Sequence, residues 1–228
     1  MPYNLIRTEV GSRFLEVNNL LSSIKSSEES ILPPMLPPVE NKIVKGLFYV
    51  LLYASIEYTF SKLTTHTLTI IKNNNIRYLD LNNKFYTVAL ASNLQSIKDC
   101  TPKAFLDKSA DLFILLESTD VSSYSETFIN QYLKNIWGKS FNQLTKTIGI
   151  SPFVITPREL TIFDEIVENR NIVAHGRDFA QNIGSSPNYT DLKVKVDIVF
   201  DVLSRFIDHF ENFYVTKEFI KPHMRTAY

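Results

Sequence analysis

Residues 41–71 carry apolar side chains nearly all the way round a helical wheel: Ile43, Val44, Leu47, Phe48, Val50, Leu51, Leu52, Ile56, Phe60 and Leu63. A helix of that pattern has to be covered on most sides, in the middle of a bundle or against another subunit. It therefore constrains the fold more than any other segment. Glu57 is the exception, a carboxylate among apolar neighbours that calls for a partner. The most apolar run, residues 47–60, contains Glu57 and is 14 residues long. A bilayer-spanning helix needs about 20, so no membrane segment is expected. With only 6 glycines and 44% hydrophobic residues in 228, the composition favours helices over a turn-rich β fold.

Other segments read as partners for this central helix. Residues 12–25 form an amphipathic pattern through Phe14, Val17, Leu20, Leu21 and Ile24. Residues 26–40 contain Pro33, Pro34, Pro37 and Pro38, which cannot occupy a helix interior, and read as a stiff connector or as a proline-rich ligand. Asn73, Asn74 and Asn75 end the long helix. Residues 76–88 alternate in part, as a small hairpin or a loop around Asn82 and Asn83 does. Residues 105–116 are helical by the spacing of Leu106, Ala110, Phe113 and Leu116, and 76–127 as a whole reads as an insertion between core helices. Residues 126–148 read as helical with Phe128, Tyr132, Ile136 and Phe141 inward, broken near Gly138. A last helix over 191–214 presents Val196, Val199, Leu203, Phe206, Phe210 and Phe213 on one face. The tail 217–228, with Lys217, Lys221, His223 and Arg225, reads as a mildly basic solvated end or a nucleic-acid contact. One domain over 1–228 is expected.

Between these lies a helix whose ends are written in the sequence. Thr156, Pro157 and Glu159 spell an N-cap, a first-turn proline and a capping box. Leu160, Phe163, Val167 and Ala174 mark a buried face, and Gly176 the stop. Near its end stands Glu168-Asn169-Arg170-Asn171-Ile172-Val173-Ala174-His175-Gly176. An imidazole moves protons near neutral pH and a guanidinium holds phosphoryl oxygens through several donors. Together they supply what RNA cleavage without a metal requires. Five helical residues rotate by roughly 500°, which sets Arg170 and His175 about 140° apart. Either the helix ends between them, or a second copy of the chain completes the site. The competing reading is plain helix-dipole chemistry at a C-terminus.

Charge and composition narrow the rest. With 24 basic and 24 acidic residues the formal net charge is zero, so a broad electrostatic grip on nucleic acid is not expected and any RNA contact should be local. The single cysteine, Cys100, excludes an intramolecular disulfide. His66, His175, His209 and His223 lack metal-ligand spacing, and no cofactor motif is present. His209, beside Phe206 and Phe210, reads as a packed or surface histidine. No signal peptide is visible at the N-terminus, which makes a cytoplasmic protein the expectation.

The run Glu168–Gly176 resembles the signature of the HEPN superfamily: an arginine, a polar residue, and a histidine a few positions on. Asn171 fills the polar slot, and the lead-in from Phe163 to Glu168 is similar too. The resemblance implies an all-α, HEPN-like helical bundle with a long central helix. It also implies a homodimeric, metal-independent endoribonuclease that leaves 2′,3′-cyclic phosphate and 5′-hydroxyl ends. His175 would move the proton, Arg170 would stabilise phosphoryl charge, and Asn171 would contact the phosphate or hold His175. Glu57 would orient Arg170 or His175, or form an ordinary salt bridge, and Arg177 would add a phosphate contact. Such proteins act as toxins or phage-defence effectors on cellular RNA or tRNA, with a cognate antitoxin as partner. The alternative is a non-catalytic HEPN module for dimerisation or protein binding.

Overall fold

The computed structural model describes residues 2–31 and 37–228. Pro33 and Pro34 of the expected connector lie outside the described residues. Nine α-helices occur among those described: α1 (Asn4–Glu29), α2 (Val39–Lys72), α3 (Tyr86–Ala89), α4 (Ala91–Lys98), α5 (Pro102–Leu116), α6 (Ser140–Ile148), α7 (Pro157–Ala174), α8 (Ala180–Ile183) and α9 (Tyr189–Val215). No strand is present among them; the β content is two isolated bridges, Arg77 to Val121 and Leu81 to Ile220. The fold is all-α.

The chain divides into two compact units, one of residues 1–60, 134–140 and 154–207, the other of 61–133, 141–153 and 208–228. In the first, α1 is longer than the pattern from residue 12 suggests. Ile6 and Val10 continue the stripe of Phe14, Val17, Leu21 and Ile24, and all six are buried. Its buried face meets α9, with the Phe14 and Phe200 rings edge to face at 5.0 Å, while Phe60 of α2 stacks on Phe206 at 5.1 Å. Apolar burial of such side chains is worth about 1.5–3 kcal/mol each. By length and composition α2 could cross a membrane, and 56% of its most apolar window is buried inside the protein, as in a core helix. Lys45 is buried too. Its ammonium is 3.2 Å from Glu28 and donates to the Pro187 carbonyl at 2.7 Å, which meets the requirement that a buried charge be paired.

The second unit corrects several expectations. Residues 76–88 form no hairpin. Ile76, Tyr78 and Asp80 do alternate inward, but each bridge is a single residue wide, and the backbone turns through short 3₁₀ segments at Tyr78–Asp80 and Asn83–Phe85. On α5, Leu106 and Phe113 are 74% and 67% exposed, so its apolar spacing marks an uncovered face. The helix expected over 126–148 is a 3₁₀ turn (Phe128–Tyr132), a loop, and then α6; Tyr132 points to solvent, while Ile136 and Phe141 are buried as expected. The tail is packed: Phe219 and Ile220 are buried, the Tyr228 hydroxyl donates to Asp80 at 2.6 Å, and Lys221 donates to the Leu79 carbonyl at 2.5 Å. His209 lies within hydrogen-bond distance of the Ser151 carbonyl, at 2.8 Å.

Candidate active site

Helix α7 is fixed at both ends by its own sequence. At the N-terminus Glu159 N–H donates to the Thr156 hydroxyl, and the Thr156 amide donates to the Glu159 carboxylate at 2.7 Å. Helix α7 ends at Ala174 with His175 as C-cap. Arg177 N–H donates to the Ile172 carbonyl at 2.9 Å and Gly176 N–H to that of Val173 at 3.2 Å. With Gly176 at φ 63°, this is a Schellman closure. It sets the backbone from which both the His175 and Arg177 side chains leave.

The Arg170 guanidinium lies 4.1 Å over the Tyr53 ring. Its Nη1 donates to Asn171 Oδ1 at 2.7 Å and to Asn135 Oδ1 at 3.3 Å, and Nη2 is 3.7 Å from Glu57 Oε2. The pair with Glu57 is too long for a hydrogen bond, and the Glu57 side chain is 45% exposed, so it is worth about 0–1 kcal/mol. The bond to Asn171 and the Tyr53 face, roughly 1.5–3 and 0.5–2 kcal/mol by type, do most of the positioning. A guanidinium has five N–H groups. Nη1 spends both of its own on the two asparagines, which leaves the Nε and Nη2 edge, a two-pronged donor for a phosphoryl group.

Asn171 is 7% exposed. Expected on a phosphate or on His175, its side chain is turned inward on the helix and accepts a hydrogen bond from Arg170. Glu57 is paired with Arg170. The His175 and Arg177 side chains are both exposed, and among the described residues neither makes a side-chain hydrogen bond or ion pair.

The loop carrying Asn135 is pinned from two sides. Ile136 N–H donates to the Tyr53 hydroxyl at 3.1 Å, and Gly138 N–H donates to Asp164 of α7 at 2.8 Å. Asn135 itself adopts φ 52°, a left-handed conformation that asparagine tolerates. Burial pushes the Tyr53 pKa up, so the ring offers its face as a neutral phenol.

A family model described as RiboL-PSP-HEPN matches residues 10–212, the whole of α7 and its closure included. The chain belongs to the RiboL-PSP-HEPN family. No curated protein and no solved structure matches it.

In this HEPN chain, then, the arginine of the motif is preset and the histidine is open to solvent. Sequence reasoning missed Tyr53 and Asn135. Tyr53 stands four residues before Glu57, so a shared helical face was available as a signal. Asn135 comes from a loop 35 residues upstream, and no local pattern points to it. Among the described residues no cluster of His, Cys, Asp and Glu is arranged to hold a metal ion.

Proposed function

We propose that the chain is a metal-independent HEPN endoribonuclease. The observation that carries this reading is Arg170. Its side chain is 20% exposed and held by Tyr53, Asn171 and Asn135, with its Nε and Nη2 edge not hydrogen-bonded among the described residues, about one and a half helical turns ahead of the solvent-facing His175. An arginine meant only to stabilise the fold would spend its donors on the protein.

In this reading the Arg170 edge holds the non-bridging oxygens of the scissile phosphate and stabilises the charge that develops there. His175 moves a proton between the 2′-hydroxyl nucleophile, the solvent and the 5′-oxygen leaving group. The O5′–P bond breaks as O2′–P forms, giving a 2′,3′-cyclic phosphate and a 5′-hydroxyl. The net charge of zero fits a local RNA contact. We assign a homodimer in which each chain supplies Arg170 and His175, a cytoplasmic setting, and cellular RNA such as tRNA as substrate. A toxin or phage-defence role under a cognate antitoxin follows from the same reading.

The test is incubation of purified wild-type, Arg170→Ala and His175→Ala protein with total RNA and tRNA in EDTA. Cleavage by wild type alone, leaving cyclic phosphate ends, supports the nuclease. No cleavage by a folded dimer overturns it in favour of a HEPN dimerisation or protein-binding module.

A further inference from the structure

One turn of α2 before Tyr53, and on the same helix α7 as Arg170, the first unit holds a cavity of about 410 Å³ that opens between Tyr49, Glu165, Asn169, Asn182, Asp191 and Lys195. The volume is in the range of pockets for small organic ligands. We propose that this cavity is a nucleobase subsite that selects guanine beside the scissile phosphate. The assignment rests on the nuclease reading above and names the substrate feature the same site would read.

Position comes first. Asn169 is the residue before Arg170, and Tyr49 and Tyr53 are successive turns of one face of α2, about 6 Å apart along the axis. The cavity therefore lies about one turn of α2 from the ring on which Arg170 rests, and the assignment seats there the base of the nucleotide whose phosphate Arg170 holds.

The lining combines polar side chains with the apolar Ile183 and Pro187, a mixture that suits a heteroaromatic ring. Two carboxylates, Glu165 and Asp191, stand against one ammonium, Lys195, so a phosphate is repelled and a donor-rich edge is favoured. Glu165 is held at both oxygens: the Tyr49 hydroxyl donates at 3.5 Å and the Lys195 ammonium lies at 3.0 Å. The Glu165 side chain is nonetheless 41% exposed. Each of its oxygens has a second lone-pair direction, which together match the adjacent N1–H and amino donors of guanine. Adenine and cytosine offer one amino group and uracil none. Asn182 donates its amide to Asp178 at 2.6 Å, leaving its carbonyl as a further acceptor.

The cavity is built rather than fluid. A Cβ on Gly184 would stand 1.8 Å from the Lys42 carbonyl oxygen, and one on Gly46 2.0 Å from that of Ala180, so α2 and the α8 segment touch backbone to backbone. The Lys45 bond to Pro187 clamps the same wall from the other end.

The test is ligand-observed NMR of guanosine, adenosine, cytidine and uridine with the full chain as wild type, Glu165→Gln, Asn169→Ala and Arg170→Ala, each checked for folding by thermal melting. Guanosine should bind at least about tenfold more tightly than uridine, the scale of one good bidentate pair. Glu165→Gln should erase that preference, Asn169→Ala should weaken binding of every base, and Arg170→Ala should change neither. Absence of binding, equal binding of all four, or a guanosine preference that survives Glu165→Gln overturns the assignment. Nucleosides carry no phosphate and the readout is binding, so a chain that cleaves no RNA still decides the base question separately from the nuclease question.

Discussion

Asn171 accepts a 2.7 Å hydrogen bond from Arg170, the residue immediately before it. Consecutive residues on a helix point about 100° apart, so the two side chains must lean toward each other to make this contact. The bond joins a charged donor to a buried acceptor, and it helps keep the guanidinium over the Tyr53 ring. The residue in the motif's polar slot thus bonds the motif arginine.

Asn171→Ala is expected to free Arg170 and lower RNA cleavage by about tenfold or more, with a stability loss of about 1–3 kcal/mol for the broken charged bond. Arg170→Lys should fall by 10²–10³, as loss of a charge-stabilising donor does, because an ammonium with three donors cannot bond both asparagines and still present a two-pronged edge to a phosphate. Single-turnover cleavage rates together with urea melts check both. An Asn171→Ala chain with wild-type cleavage would remove the positioning role.

His175→Ala should abolish cleavage while leaving stability within about 0.5 kcal/mol of wild type, since the side chain is exposed. Thermal melting and cleavage run on the same samples separate the two effects. A large drop in melting temperature would show that the ring supports the fold.

Gly176 closes α7 at φ 63°. A Cβ there meets no atom within 4 Å, so the cost of Gly176→Ala is conformational alone, about 1–2 kcal/mol, and Gly176→Asn should cost less. Because the same closure aims the His175 backbone, both variants should lose more cleavage than their melting shifts explain. Activity that tracks stability alone would argue against that coupling.

Gly184→Ala should be far more severe. The added methyl would press on the backbone of α2, at Lys42 and Gly46, and backbone cannot rotate aside. Destabilisation of about 3 kcal/mol or more is expected, read as a lower urea midpoint at unchanged slope.

Asp80 gives the second unit a pH dependence. Its burial alone would raise the carboxyl pKa, but the Tyr228 hydroxyl and the Arg77 guanidinium, 2.7 Å away, hold it below its ordinary value. A carboxylate with a depressed folded pKa favours the native state while ionised. Its contribution is complete above the unfolded value of about 3.9 and disappears as pH falls through the lower folded value. Melting temperature between pH 5 and 2 should therefore decline less steeply for Asp80→Asn than for wild type. Parallel curves would show that other carboxylates carry the effect.

Local physics wrote much of this into the sequence. The capping box at Thr156 and Glu159, the stop at Gly176, the all-round apolar surface of α2 and the inner stripe of α9 each depend on residues within a few positions of one another, so periodicity and cap chemistry were enough to place them. The motif arginine and histidine were legible for the same reason. What only tertiary structure decided is what meets these elements from elsewhere in the chain. Asn135 reaches Arg170 from a distant loop, Tyr53 offers the ring on which the guanidinium lies, and Asn171 turns inward because of what surrounds α7. The spacing of Leu106 and Phe113 promised burial, yet nothing among the described residues covers them, and the alternation over 76–88 finds no strand to pair with among them. Apolar spacing fixes which face of an element seeks cover; whether cover arrives depends on contacts between residues far apart in sequence, and no local pattern encodes those.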